Sequence, residues 1–318
     1  MRLASVLTPM SNENLQLAAQ CGVTDIVARY PKAGIAELRE KKGRSEAFGM
    51  RLAVVEGYLP IENIKIGADD GRELEAVTRL LNDMAEVGIP LLCYNFMAGT
   101  DWVRTRLDAP ERAGAKVTAF DLNEVERAMS LSATASRIDT RPISTTELWS
   151  NLERFLNAIV PVAEQCGVTL AMHPDDPPLE SFLGKARIMN SVESFERLVR
   201  LVPSPRNAIC FCQGTFAEMG VDIPSAIRRL GPHIKYVHFR DIRGTRESFA
   251  ETFHDNGQTD MAEAMRAYRD VGFDGAMRPD HVPQLVGEED GEPGYTMLGR
   301  LFAFGYMRGL MHAVVGRS

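Results

Sequence analysis

The chain has 318 residues, of which 45% are hydrophobic, and its formal net charge is −7. This length and composition allow a large buried core, while the negative charge and the lack of a basic run argue against nucleic acid as a partner. Charged residues or glycine interrupt the apolar stretches well before 18 residues, and the apolar part of the N-terminus is short for a signal peptide, so we expect neither a membrane span nor secretion. Five cysteines without a disulfide-like spacing suit a reducing compartment, and we expect a cytoplasmic protein.

Short apolar runs alternate along the chain with amphipathic stretches. Continuous apolar runs of about four to eight residues are typical of strands that are buried on both faces of a parallel sheet. The runs are Leu3–Leu7, Asp25–Ala28, Arg51–Val55, Pro90–Asn95, Thr169–His173, Ala208–Cys212, Tyr236–Phe239 and Gly275–Arg278. Strands that alternate with helices or long loops predict an α/β protein, a single (β/α)8 TIM barrel over residues 1–318. A doubly wound sheet is the alternative, but the glycine-rich phosphate turn that it normally carries after its first strand is missing.

Local signals predict where a helix begins and where the alternation breaks. Ser144 and Glu147 form a capping box before a helix predicted over Leu148–Val162. The stretches Met97–Pro142 and Gly244–Thr259 carry charges, Gly and Pro, and we interpret them as long loop insertions after strands four and seven. Both follow the C-terminal ends of strands, where barrel enzymes build their sites.

Four consecutive predicted strands end close to a side chain that can ligate a metal: His173, Cys212, His238 and Asp280. Neighbouring strands lie about 4.8 Å apart and deliver their ends to one rim of a barrel, so four consecutive strand ends can reach one ion. A set of two histidines, one cysteine and one aspartate suits Zn, Fe(II) or Mn(II), whereas Mg alone is a poor match for thiolate. The sequence therefore predicts a four-ligand metal site.

Each ligand candidate also has a structural interpretation. A lone histidine at a strand end is more often a hydrogen-bonded structural residue, and a cysteine in an apolar strand is more often part of the core. The recurrence of donors at four consecutive strand ends is what favours the metal site. Cys210 competes with Cys212 because residues two apart in a strand face the same side, and the turn at Gly214 favours Cys212 as the residue at the rim.

Two further residues can carry protons near this rim. His281 directly follows Asp280, and a strand end that turns into a loop can bring both side chains to one site. The alternative role of His281 is to support the neighbouring ligand, Asp280. Tyr295 precedes the last predicted helix, where packing under a loop is the alternative.

A third group of side chains suits a polyhydroxylated, anionic ligand. Arginine binds carboxylates, and asparagine and tryptophan can shape a sugar pocket. The candidates are Asn95, Trp102, Arg104 and Arg240, and anchoring of a loop is the alternative for Trp102. His254, in the long loop after strand seven, is a further candidate whose role the sequence leaves open.

Together these segments resemble the mannonate dehydratases, xylose-isomerase-like barrel enzymes of hexuronate breakdown. The resemblance runs from about Val55 to the C-terminus. Its motifs are Tyr94-Asn95-Phe96-Met97, Asp101-Trp102-Val103-Arg104-Thr105, His173-Pro174-Asp175-Asp176-Pro177-Pro178, Cys212-Gln213-Gly214-Thr215, His238-Phe239-Arg240, His254 to Met261, Arg278-Pro279-Asp280-His281 and Gly294-Tyr295. The chain departs from the family pattern at Val282, where members commonly have Gly, and at Phe249-Ala250-Glu251, where a further His is expected.

The resemblance implies a lyase that dehydrates a sugar acid, in the first place D-mannonate to 2-keto-3-deoxy-D-gluconate. It implies Mn(II) or Fe(II) bound by His173, Cys212, His238 and Asp280, and His281 with Tyr295 as the proton-transfer pair. It also suggests a homo-oligomer, in the first place a dimer. Two alternatives stay open: a metal-dependent sugar isomerase or epimerase on the same barrel, and a non-catalytic paralogue that binds a sugar acid.

Overall fold

A computed structural model describes residues 1–131 and 141–316. In this part of the chain the strands are β1 (Arg2–Val6), β2 (Asp25–Arg29), β3 (Arg51–Glu56), β4 (Leu91–Tyr94), β5 (Val103–Arg104), β6 (Arg106–Pro110), β7 (Lys116–Asp121), β8 (Met129–Ser130), β9 (Thr169–Met172), β10 (Ser181–Phe182), β11 (Lys185–Ala186), β12 (Asn207–Cys212), β13 (Ile234–His238), β14 (Ile242–Thr245), β15 (Ser248–Glu251) and β16 (Ala276–Arg278). The α-helices are α1 (Asn12–Gln20), α2 (Ile35–Glu46), α3 (Glu62–Lys65), α4 (Arg72–Val87), α5 (Thr145–Cys166), α6 (Val192–Leu201), α7 (Gln213–Glu218), α8 (Ile223–Leu230), α9 (Met261–Asp270) and α10 (Met297–Val315).

Strands β1, β2, β3, β4, β9, β12, β13 and β16 pair in this order, and β16 pairs with β1 to close a barrel. All of these pairings are parallel. Each predicted apolar run coincides with one barrel strand to within two residues at either end. The TIM-barrel prediction is confirmed, and the doubly wound alternative is wrong because β16 and β1 join the two edges of the sheet.

Both faces of the barrel wall are buried, which explains why its strands are apolar throughout. The interior holds mainly small side chains, among them Ala4, Ala53, Ala171 and Ala276. The outer face packs against the apolar sides of the surrounding helices. Of these, α5 begins as predicted, with the Ser144 hydroxyl accepting a hydrogen bond of 3.2 Å from the backbone N–H of Glu147.

The two predicted loop insertions contain strands that pair with each other. β14, β15, β7 and β6 form an antiparallel sheet in that order, in which Phe249 of β15 pairs with Phe120 of β7. The insertions follow the fourth and seventh barrel strands, β4 and β13, as predicted. Their pairing with each other was not predicted, because hydrogen bonds between segments more than 100 residues apart cannot be recognised from local sequence. Residues 132–140 of the first predicted insertion lie outside the described residues.

None of the described helices has both the length and the apolar composition that crossing a membrane would require. The assignment of residues 1–318 to one domain stays a prediction.

Candidate active site

The four predicted ligands lie at the C-terminal ends of neighbouring barrel strands. In the strand register Cys212 pairs with His238, and His238 pairs with Arg278. Asp280 comes two residues after Arg278, and His173 directly follows the last residue of β9. The parallel barrel thus brings to one rim side chains that are far apart in sequence.

Their donor atoms lie close enough to share one cation. His173 Nε2 lies 3.2 Å from His238 Nδ1, and His238 Nδ1 lies 3.6 Å from Asp280 Oδ1. The Cys212 Sγ atom lies 3.6 Å from Asp280 Oδ2. Ligand bonds of about 2.0–2.3 Å place two tetrahedral ligands about 3.3–3.8 Å apart, so these distances match a mononuclear site.

The hydrogen bonds around the two histidines also fit a cation. His173 Nδ1 lies 2.7 Å from the carbonyl oxygen of Pro174, and His238 Nε2 lies 3.1 Å from Glu56 Oε2. Both oxygens only accept, so these two ring nitrogens carry the protons. The nitrogens that face each other at 3.2 Å therefore both present lone pairs in the neutral rings. A shared cation, or a proton held between the two rings, removes the repulsion between them.

The charge state of the site favours a thiolate ligand. Burial alone would raise the pKa of the Cys212 thiol, but the Arg240 guanidinium and His173 hold this pKa well below its ordinary value. Burial would lower the pKa of His173, but the negative charge on Cys212 raises it to about 9. For Asp280, the positive charge of Arg278 outweighs burial and keeps the carboxyl pKa well below its usual range.

Backbone geometry explains how two consecutive side chains reach the same cavity. Asp280 has φ of 58°, in the left-handed region that residues with a Cβ rarely adopt. This turn interrupts the alternation of an extended strand, in which neighbouring side chains point to opposite faces. Asp280 and His281 consequently both line the cavity at the C-terminal rim of the barrel.

The competing cysteine lies in a different group. Cys210 and Cys93 bring their sulfur atoms together with a ring nitrogen of His238, all within 4.8 Å of one another. Both cysteines belong to the cluster that fills the barrel interior. His238 belongs to both groups, and in the group with His173 and Cys212 the cysteine as well as His238 lies 3.6 Å from a carboxylate oxygen of Asp280.

The two predicted proton carriers lie beside each other in the cavity wall. The ring centroids of His281 and Tyr295 are 5.3 Å apart, with the rings edge to face. Trp102 stacks on His281 with a centroid distance of 4.0 Å. Burial raises the pKa of Tyr295, although the Arg278 charge opposes this. The site thus combines an imidazole and a phenol with the metal-ligand group.

Of the predicted substrate contacts, Asn95 and Trp102 lie among the described residues that line the cavity, and Arg104, Arg240 and His254 do not. Arg104 forms two hydrogen bonds with Asp176, of 2.6 and 3.0 Å.

Arg240 and His254 are as enclosed as Arg104. Arg240 is buried and donates to Asp280, Asp176 and Glu218. His254 is fully buried, and its Nε2–H donates to the carbonyl oxygen of Pro279 over 2.8 Å. Binding of substrate by Arg104, Arg240 and His254 stays a prediction.

The cavity wall also contains charged residues to which the sequence analysis gave no role. Glu56 ends β3 and accepts hydrogen bonds from His238 and Arg278. Arg29 ends β2 and forms a salt bridge of 2.6 Å with Glu292. Lys32 lines the cavity as well. Applying the rule of strand ends to β2 and β3 would have identified Arg29 and Glu56.

Comparisons with known proteins identify the family of this chain. The model of the family described as D-mannonate dehydratase (UxuA) matches residues 9–317. A mannonate dehydratase of Oceanobacillus iheyensis is 35% identical over 294 residues, which cover 86% of this chain and 84% of that protein. One of Thermotoga maritima is 33% identical over 311 residues, which cover 87% and 85%.

Solved structures of known proteins are also similar to this chain. The crystal structure of a mannonate dehydratase from Streptococcus suis serotype 2 has a TM-score of 0.88 at 29% identity, and the match covers 99% of this chain and 95% of that chain. A crystal structure of D-psicose 3-epimerase has a TM-score of 0.62 at 14% identity over the full length of both chains, and shares the fold. The chain therefore belongs to the D-mannonate dehydratase family.

Proposed function

We propose that this protein dehydrates D-mannonate to 2-keto-3-deoxy-D-gluconate. The reaction removes the proton from C2 and the hydroxyl group from C3 as water, and the resulting enol becomes the 2-keto acid. The observation that carries the proposal is that the four metal-ligand candidates lie together and that His173, His238 and Asp280 line one cavity with the two proton carriers. Similarity to mannonate dehydratases along most of the chain supports the choice of substrate.

The donor set fits a divalent transition metal, for which we propose Mn(II) or Fe(II). His173, Cys212, His238 and Asp280 would hold it, and the lone pairs that face each other between the two histidines support this assignment. When bound, such a cation acts as a Lewis acid that makes the C2 proton of a sugar acid easier to remove. The thiolate favours a softer ion than Mg.

His281 and Tyr295 supply the proton transfers in this proposal. One takes the proton from C2, and the other protonates the departing 3-hydroxyl group. Their rings lie 5.3 Å apart in one cavity wall, so both can face the same substrate. In D2O, the variant that lacks only the acid will still exchange the C2 proton of D-mannonate, whereas the variant that lacks the base will not. Comparing H281N with Y295F thus assigns the two roles.

The positive groups of the cavity are suited to the substrate carboxylate. Arg29, Lys32 and Arg278 line it. The Arg278 Nη1 atom is buried and has no hydrogen-bond partner among the described residues. A buried donor of this kind is costly unless a ligand satisfies it. We propose that the carboxylate lies on this side and that Asn95 and Trp102 contact the hydroxylated carbons.

The central experiment supplies the purified protein with Mn(II) and follows 2-keto-3-deoxy acid formation from D-mannonate. We expect H281N to lower kcat at least about 100-fold while metal content is unchanged. The matched control is H312N, which makes the same change at an exposed histidine of α10. Near wild-type turnover of metal-loaded H281N removes His281 from the mechanism. Aldoses tested in parallel address the isomerase alternative, since isomerisation yields no 2-keto-3-deoxy product.

The proposal also covers the cellular location and the oligomeric state of the enzyme. The five cysteines are free, and a thiolate ligand needs reducing conditions, which supports a cytoplasmic location. A homodimer is the expected assembly from the family resemblance. Light scattering on the metal-loaded protein measures its mass directly.

A further inference from the structure

A carboxylate from the inserted sheet contacts the proposed proton carrier. Glu251 is the last residue of β15, and its Oε1 atom lies 2.6 Å from His281 Nδ1. Both side chains are about 5% exposed. The insertions therefore bring to the barrel rim a group that none of the eight barrel strands provides.

Glu251 is itself held in place by neighbouring donors. Arg104 Nη2 donates to its Oε1 over 2.7 Å, and the Thr118 hydroxyl donates to its Oε2 over 2.8 Å. Arg104 in turn holds Asp176 through two hydrogen bonds. An ionised carboxylate surrounded by donors can only accept from His281. The proton on the imidazole is thereby placed on Nδ1.

The ring of His281 also has little freedom to turn. Trp102 stacks on the ring, and the Gly294 backbone lies so close that an added Cβ there would be 3.3 Å from His281 Cβ. With Nδ1 bound to Glu251, the other ring nitrogen, Nε2, lies 3.7 Å from Asp280 Oδ1. Nε2 is therefore on the side of the predicted metal ligands.

We infer that Glu251 is a positioning residue, which fixes the tautomer and orientation of His281 so that Nε2 is the nitrogen that exchanges a proton with the substrate. This inference rests on the proposed function, in which His281 is a proton carrier. It also gives the insertions a function, since Glu251 comes from β15 of the inserted sheet and Arg104, which holds it, comes from β5 of the first insertion.

Steady-state kinetics on D-mannonate provide the first test. E251A removes the acceptor and should lower kcat about 100-fold with KM changed less than about threefold, since proton transfer is lost and ground-state binding is kept. E251Q keeps the size and one accepting oxygen, and should lower kcat about tenfold. E247A makes the same change as E251A at an exposed glutamate of the same insertion and should stay within about threefold of wild type. Melting temperature and metal content of every variant show whether it is folded and loaded.

Two readouts separate positioning from general support of the fold. In the H281N background E251A should lower the residual kcat less than about twofold, because the residue through which it acts is gone. Nitrogen NMR of histidine-labelled protein reports the tautomer directly, and the chain has six histidines, of which the His281 signals are those missing from H281N. The Nδ1–H form should dominate in wild type and lose population in E251A.

The inference is overturned if E251A costs about 100-fold in the H281N background too, or if wild-type His281 is the Nε2–H tautomer. Unchanged kcat in a folded, loaded E251A or E251Q also overturns it. Failure of the proposed function has a different signature. In that case wild type loaded with Mn(II) forms no 2-keto-3-deoxy acid, while the NMR comparison still decides whether Glu251 fixes the ring.

Discussion

The Nε2 atom of His238 lies 3.1 Å from Glu56 Oε2, on the opposite side of the ring from His173. The Tyr236 hydroxyl donates to the same Glu56 oxygen over 2.6 Å. Arg278 also donates to this carboxylate, so the orientation of Glu56 is set from three sides. A carboxylate in this position fixes the tautomer of a metal-binding histidine and makes the ring a better ligand.

We therefore expect E56Q to weaken Mn(II) binding about 10- to 100-fold, the usual loss when such a partner is removed. Calorimetric titration of metal-free protein measures the affinity. E292Q is the matched control because Glu292 lines the same cavity and pairs with Arg29. Equal affinities in E56Q and E292Q would contradict this role for Glu56.

Removal of the thiolate should have a larger effect. Cys212 contributes one of the four proposed ligands, so C212S should bind Mn(II) more weakly by more than about 100-fold. This exceeds the loss expected for E56Q, because Glu56 contacts a ligand and not the metal itself. Metal analysis after gel filtration checks this. C166S is the control because Cys166 ends α5 and its sulfur contacts Asn82 of α4. A full equivalent of tightly bound metal in C212S would exclude the thiolate as a ligand.

Arg29 should affect substrate binding more than chemistry. Its guanidinium lies at the cavity wall, 4.9 Å from the centre of the Tyr295 ring. Loss of a charge-assisted hydrogen bond to the substrate carboxylate should raise KM for D-mannonate in R29M about tenfold, with kcat changed less than about threefold. R39M is the control, since Arg39 is an exposed arginine of α2. A KM equal to that of R39M would remove Arg29 from substrate binding.

The buried His254 should make stability depend on pH. Burial lowers its pKa from 6.5 to about 4, so the ring stays neutral in the folded protein where the unfolded chain would bind a proton. This difference in pKa contributes about 3 kcal/mol to the free energy of unfolding. The contribution is complete above pH 6.5 and decreases as the pH falls from 6.5 to 4. H254N should therefore lose less stability than wild type between pH 7.5 and pH 4.5.

Denaturant unfolding of metal-free protein at these two pH values measures the difference. H312N serves as the control because His312 is exposed on α10. If H254N and H312N lose equal free energies of unfolding over this range, the histidine is not buried as a neutral ring.

Local sequence was sufficient to predict the barrel and the position of the metal-ligand candidates at its rim. Strand periodicity is encoded within a few residues, and parallel strands in a barrel must deliver their ends to one rim. Cys212, His238 and Asp280 could therefore be placed together from three separate segments. Capping of α5 by Ser144 was predictable for the same reason, since the hydrogen bond spans only three residues.

Contacts between the insertions could not be predicted in this way. The pairing of β15 with β7 joins segments far apart in the sequence, and local sequence does not predict it. Together with the β14–β15 hairpin, in which Glu251 pairs with Ile242, it places Glu251 beside His281. The burial of Arg104 is a further example. An arginine near a strand end suggests a substrate contact, yet here its charge is balanced by Asp176 and Glu251.

The sequence by itself determined the type of fold and which side chains meet at the barrel rim, because both depend on short-range patterns and on a fixed strand geometry. Only the tertiary structure decided which of the charged residues near that rim face the cavity and which are paired with one another. That choice depends on side-chain packing and on electrostatic balance between distant segments, as in the pairing of Glu56 with His238 and of Glu251 with His281.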